Sequence, residues 1–159
     1  MKILLPEDVR LRLEATLARA GLREIGGVLM GEAVQENTFR VIDFSVQYGG
    51  GTVASFMRAV SSALQPLQRF FERTARNYRR YNYLGEWHSH PSFSPEPSPR
   101  DHESMQEIVD DREVGANFAV LMVVKLQVDA LKATVTGYVP GGSPFTGELI
   151  LERQKALST

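Results

Sequence analysis

The stretch Tyr83-Leu84-Gly85-Glu86-Trp87-His88-Ser89-His90-Pro91 decides how this chain is read, with Ser98 and Asp101 lying just beyond it. Residues Tyr81 to Ser89 read as a strand running into the histidines. On a strand, residues two apart point the same way, so His88 and His90 would present both imidazoles on one side. The chain holds only 3 histidines in 159 residues, so this pairing stands out from its background. Ser98-Pro99 reads as an N-cap followed by proline at the first helical position, which puts Asp101 in the first turn of a helix running to about Val114. Pro95 and Pro97 stiffen the linking loop and reduce the entropy lost on bringing Asp101 to the histidines.

Two imidazoles and a carboxylate at fixed spacing form a metal-ligand pattern. With no cysteine in the chain, disulfides, thiolate ligands and thiol catalysis are excluded together. Imidazole with carboxylate suits zinc. Three protein ligands (His88, His90 and Asp101) leave the fourth tetrahedral position open to a water, whose pKa such sites lower to about 7. Amide hydrolysis there would also need an oxyanion stabiliser and a proton acceptor. The Ser98 hydroxyl, one turn before Asp101, suits the first task. For the second, Glu24 stands before the glycine-rich run Ile25-Gly26-Gly27-Val28-Leu29-Met30-Gly31, while Glu86, Glu96 and Glu103 lie nearer in sequence. Spacing alone leaves these acids open.

Further out, Pro6 to Ala20 predicts an amphipathic helix that Gly21 stops. Ile25 to Gly31 predicts a strand whose backbone is closely approached, with Phe39 to Val46 as its antiparallel partner. Gly49 to Gly51 predicts a loop, followed by a short strand near Val53 to Met57. A helix is expected over Ser61 to Arg80, with Pro66 opening or kinking it. Phe118 to Lys125 predicts a strand buried on both faces, Leu131 to Val139 its half-buried neighbour, and Glu148 to Ala156 a final helix. The sum is one α/β (α+β) domain over residues 1–159, with a mixed central sheet flanked by helices.

Composition agrees with a globular chain: 43% hydrophobic, 23% charged, formal net charge −1. That charge gives no general attraction to nucleic acid or anionic membrane. No apolar run is long enough to span a bilayer, and the short one in MKILLP is too short for a signal peptide, so a cytoplasmic location is expected.

Glu-x-Gly-Gly-x-Leu-x-Gly, then His-Ser-His-Pro, seven residues from the second histidine to serine, and two more to aspartate resemble the JAMM (MPN-plus) metalloprotease signature. Glu24, His88, His90, Ser98 and Asp101 match it at all five positions. The resemblance implies a cytidine-deaminase-like JAMM/MPN fold with a curved sheet, and one Zn2+ per chain on His88, His90 and Asp101. It further implies Glu24 as general base and then acid, with Ser98 stabilising the tetrahedral intermediate. Family members hydrolyse peptide or isopeptide bonds at the C-termini of ubiquitin-like proteins. The wording around the histidines is most similar to bacterial stand-alone enzymes encoded beside E1- and E2-like proteins, including the deconjugating peptidase of CBASS antiphage operons.

The expected partner is therefore a protein conjugate, through the C-terminal tail of a ubiquitin-like protein or of a conjugated nucleotidyltransferase. The alternatives are a peptidase that releases or trims a modifier or sulfur-carrier protein, and a metal-free scaffold that only binds the modifier. Among the remaining candidates, His102 reads as a surface residue rather than a fourth ligand and Trp87 as core. Glu86 reads as either a neighbour of the ligands or a plain exposed acid. Arg69, Arg73, Arg76, Arg79 and Arg80 read as a solvated helix face, with an acidic partner protein as the alternative.

Overall fold

The computed structural model describes residues 1–48, 56–128 and 130–153, with the side chains of 56–64 left aside. In chain order the elements are β1 (Lys2–Pro6), α1 (Glu7–Ala20), β2 (Ile25–Gln35), β3 (Thr38–Phe44), β4 (Gln47–Tyr48), α2 (Phe56–Arg73), β5 (Tyr81–Ser89), α3 (Pro99–Asp110), β6 (Ala119–Gln127), β7 (Ala130–Tyr138), β8 (Phe145–Thr146) and β9 (Glu148–Glu152).

The strands form one mixed sheet in the order β8-β7-β6-β5-β2-β3-β1-β9, with β4 beside the start of β2. Its two ends, β8 and β9, are separated in the chain only by Gly147, whose N–H donates to the Val135 carbonyl (2.8 Å). The sheet therefore curls until it nearly closes. A Cβ at Gly147 would come within 2.8 Å of Val135 Cγ1, so the closure depends on a residue without one.

Helix α1 touches β1, β3, β6 and β7, strands far apart in the sheet order, which requires the sheet to wrap around it. Its apolar stripe, Val9, Leu13 and Leu17, packs on Ile3, Leu5, Val120, Met122 and Val124. On the other face, α3 sets Met105, Ile108 and Val109 against Leu121, Val123 and Tyr138, and Phe70 of α2 covers Val28 and Met30.

One irregularity sorts β5 between these faces. The register against β2 slips where Leu29 lies opposite Gly85 and Met30 opposite Tyr83, leaving Leu84 as an extra residue. Gly85 has φ +151°, and a Cβ there would lie 1.9 Å from the Val120 carbonyl oxygen. Because of the bulge, Leu84 and Trp87 both enter the core around α1, while Tyr83 packs with the cores beneath α2 and α3.

Several expectations need correction. Glu148 to Glu152 is a strand, pairing in parallel with β1 and burying Leu149 against the α1 core, and residues 154–159 lie outside the description. Its three consecutive apolar residues fit either period, and the waiting edge of β1 settles the outcome. The second helix spans Phe56–Arg73 with Pro66 inside it, and the chain then turns through Ala75 and Arg76 at positive φ. The strand expected near Val53 to Met57 falls partly outside the described residues, and Phe56 and Met57 open α2. The Gly49–Gly51 loop also lies outside them. Helix α3 stops at Asp110, with Asp111 as its C-cap, rather than at Val114. The opening MKILLP forms β1, between β3 and β9. Among the described residues, no helix is long and apolar enough to cross a membrane.

Candidate metal centre

His88 and His90 stand where β5 ends. Parallel pairing with β6 holds them, His88 beside Val123 and the His90 N–H on the Val124 carbonyl (2.9 Å). Asp101 arrives from the first turn of α3, fixed by a reciprocal cap. The Asp101 N–H donates to Ser98 Oγ (3.2 Å), while Asp101 Oδ2 accepts from the Ser98 N–H (2.7 Å) and from Ser98 Oγ (2.8 Å).

One ligand atom from each of His88, His90 and Asp101 lies within 4.8 Å of the others. His88 Nε2 is 3.0 Å from His90 Nε2 and 3.5 Å from Asp101 Oδ2. A tetrahedral ion with bonds of about 2.0–2.1 Å separates its donors by about 3.3 Å, so these spacings suit one. His90 Nδ1 lies 2.9 Å from the Ser94 carbonyl oxygen. A carbonyl can only accept, so in the neutral ring Nδ1 carries the proton and Nε2 turns a bare lone pair toward His88. Burial would raise the Asp101 carboxyl, but the neighbouring His88 imidazole and the Ser98 donors hold it down to about 2. The cluster thus joins two imidazoles and an ionised carboxylate, and among the described residues no lysine or arginine pairs with them. Nitrogen and carboxylate donors in this arrangement fit zinc.

Glu24 is half-buried and immediately precedes β2. Gly26 pairs with His88 and the Ile25 N–H donates to Ser89 Oγ (3.0 Å), so Glu24 lies two residues before the last ladder pair, on the side of β2 where β5 runs into His90. The close approach expected around the glycines is present. A Cβ on Gly26 would lie 2.6 Å from the Trp87 carbonyl oxygen, and one on Gly27 would lie 2.1 Å from that of Ser45.

The remaining candidates separate clearly. Trp87 is core, 1% exposed, with its indole N–H on the Ser45 carbonyl (2.8 Å). His102 stays outside the ligand group, but it is half-buried rather than a plain surface residue, its Nδ1 2.8 Å from the Tyr138 hydroxyl. Glu86 is not an exposed acid: it is 4% exposed, burial drives its carboxyl well above the usual range, and Oε1 accepts from the Tyr83 hydroxyl (2.6 Å). In the basic group, Arg73 pairs with Asp43 and Arg80 with Glu32. Two contributors carry no role in the sequence reading. Ser89, the spacer between the histidines, ties β5 to β2, and its place inside the motif was the available signal. The Ser94 carbonyl that sets the His90 tautomer has none, because any residue supplies a carbonyl.

A curved mixed sheet that ends one strand in His-x-His, and answers it with an aspartate on the next helix, defines a JAB-type domain. The chain belongs to the family of prokaryotic homologs of the JAB domain, whose model matches residues 6–135. A curated CD-NTase/cGAS isopeptidase of Enterobacter hormaechei subsp. hoffmannii (strain UCI 50) is 31% identical over 109 residues, 67% of this chain and 57% of that protein. Another, from Vibrio cholerae serotype O1, is 34% identical over 92 residues, 57% of this chain and 58% of that protein. The chain therefore spans less than two thirds of either relative. Among solved structures, a Desulfitobacterium hafniense protein superposes with TM-score 0.62 at 15% identity, covering 96% of this chain and 94% of that one. A Salinibacter ruber protein gives 0.54 at 17%, covering 98% and 94%. At those identities the likeness concerns the fold alone.

Proposed function

We propose that residues 1–159 form one zinc-dependent JAMM peptidase domain that hydrolyses the amide after the C-terminal residue of a conjugated protein. The observation that carries this reading is the convergence of one ligand atom each from His88, His90 and Asp101, with no lysine or arginine paired to them among the described residues. His88 and His90 would bind one Zn2+ through nitrogen and Asp101 through Oδ2. Bound there, zinc supplies Lewis acidity, polarising the scissile carbonyl and acidifying water.

Glu24 takes the proton of the attacking water and delivers it to the departing amine, so one carboxylate serves as base and then acid. Ser98 donates to the developing oxyanion. Its hydroxyl has a single proton, now directed at Asp101 Oδ2, so serving the oxyanion requires a turn away from that carboxylate. The Ser94 carbonyl keeps His90 in the tautomer that leaves Nε2 free to bind.

For the substrate, the relatives named CD-NTase/cGAS isopeptidase support a cyclic nucleotide synthase joined through its C-terminus to a target, and hence reversal of E1–E2-type conjugation in bacterial antiphage defence. The reading places the enzyme in the cytoplasm, acting on protein rather than on nucleic acid or membrane. Metal analysis of purified protein, combined with mass spectrometry of its products, tests it. We expect about one zinc per chain and cleavage of a synthase conjugate after its C-terminal residue. Cleavage of a linear modifier precursor alone would shift the substrate to a modifier or sulfur-carrier protein. Protein that binds no zinc and cleaves neither would be a scaffold.

A further inference from the structure

A pocket of about 340 Å³ opens between the β3–β4 segment and α2, with Asp43, Gln47, Pro66, Arg69 and Arg73 in its wall. The sheet connects it to the histidines. Gln47 pairs with Gly26 and Gly26 with His88, so the three residues form one row across β4, β2 and β5 with their Cβ positions on one face. Gly26 is the middle member, and because it has no Cβ the β5 backbone and the His88 Cβ close in on it, so the row runs without interruption from His88 to the strand that lines the pocket. The row spans two strand spacings, about 10 Å, and an extended chain covers that distance in about three residues.

The charges in the wall do not balance. Arg69 and Arg73 face a single carboxylate, Asp43. That carboxylate is already divided: Oδ1 accepts from Arg12 (3.0 Å) and from the Phe44 N–H (2.9 Å), and Oδ2 accepts from Arg73. Among the described residues, no acid pairs with Arg69. The pocket keeps a positive surplus, presented by a guanidinium whose planar fork matches a carboxylate.

We infer that Arg69, backed by Arg73, forms a specificity subsite for an acidic side chain about three residues before the scissile bond. This rests on the hydrolytic reading above. The subsite lies on the acyl side of the bond, because that side is a chain terminus free to lie extended along the row from His88 to Gln47. Arg69 is exposed at the pocket rim, so replacing it leaves the core untouched.

The test uses zinc-loaded full-length protein and octapeptides joined through their C-terminal carboxyl to the ε-amino group of a fluorescent lysine. Asp, Ala or Lys is placed in turn at the second, third and fourth residues before the bond. Wild type should prefer Asp over Ala by about tenfold in kcat/KM at one of these positions, mainly through KM. In Arg69→Ala the ratio should fall to about one. Arg69→Glu should favour Lys over Asp at the same position, a reversal that misfolding cannot produce. Cleavage by wild type with no acidic preference at any position, or an unchanged preference in Arg69→Glu, overturns the subsite and leaves the hydrolytic reading standing. If wild type cleaves no peptide and no protein conjugate, both fall.

Discussion

Two polar clusters sit on neighbouring strands of the same sheet, and they are built on opposite principles. In the first, Glu32 of β2 accepts from Arg80 (2.6 Å) and Arg40 (3.1 Å), and Arg40 also forks onto both oxygens of Glu152 in β9 (2.9 and 3.0 Å). Two acids meet two guanidinia, so each charge finds its complement within the chain. In the second, His88, His90 and Asp101 converge within 4.8 Å, and among the described residues no arginine or lysine pairs with them. The first cluster is complete as folded and joins strands from distant parts of the sequence. The second is a group of ligand atoms that could hold a metal ion. Charge closure, more than burial or clustering, separates a structural network from a candidate site.

The widest separation between them should appear in catalysis. Glu24→Gln removes the proton carrier and keeps the shape, so kcat on a protein conjugate should fall by about 10³-fold with zinc content and unfolding midpoint unchanged. Turnover near the wild-type rate would remove Glu24 from the chemistry. His90→Ala should instead act through the metal. At zinc concentrations 100 times its Kd, wild type should gain about 2.7 kcal/mol of stability over the chelated protein. In the variant that gain should largely vanish, while the chelated protein unfolds near the wild-type point. Calorimetry with and without a chelator reads both quantities. A variant as unstable without metal as one with a broken salt bridge would show that His90 belongs to the structural framework.

The closed network should show the reverse behaviour. Glu32→Gln leaves two arginines facing a neutral amide and should cost about 2 kcal/mol of stability, with kcat unchanged. Its pH dependence has a definite sign. Burial works against the Glu32 carboxylate, but the hydrogen bonds from Arg80 and Arg40 outweigh it and hold the carboxyl below its ordinary value of about 4.3. A depressed pKa in the folded protein gives a contribution that is fully present above the unfolded value and lost as pH falls through the folded one. The gap between wild type and Glu32→Gln in urea unfolding should therefore hold from pH 7 to about 5 and narrow as pH falls below the unfolded carboxyl's ordinary value.

The difference between the clusters also explains what could be read in the sequence. His88, His90, Ser98 and Asp101 lie within one local stretch where strand alternation and helix capping have fixed geometry, so their meeting follows from spacing. Glu24 does not: its proposed role depends on the pairing of β2 with β5, which spacing alone could not choose over Glu86, Glu96 or Glu103. The Glu32–Arg40–Glu152 network was invisible for a stronger version of that reason. Glu152 belonged to a segment expected to be helical, and it faces Arg40 only because β9 pairs with β1, two strands that local pattern did not place together. Likewise, which of the two readings of Glu86 holds depends on what covers its side of β5, where the Tyr83 hydroxyl donates to it, and local pattern does not show that cover.

The smallest effect tests the joint between the two strands of the site. Ser89 sits between His88 and His90, and its Oγ accepts the buried Ile25 N–H at 3.0 Å, one residue from Glu24. In Ser89→Ala that N–H loses its partner, which should cost about 1 kcal/mol in urea unfolding. A purely structural bond would stop there. Because this one fixes where Glu24 leaves the sheet relative to His90, kcat should also fall several-fold while zinc affinity stays as in wild type, since no ligand has changed. Ser89→Thr keeps the oxygen and should restore kcat more than Ser89→Ala does. If both variants lose stability and neither loses kcat, the β2–β5 joint belongs with Glu32 and Arg40 as framework, and the position of Glu24 is set by something other than this pairing.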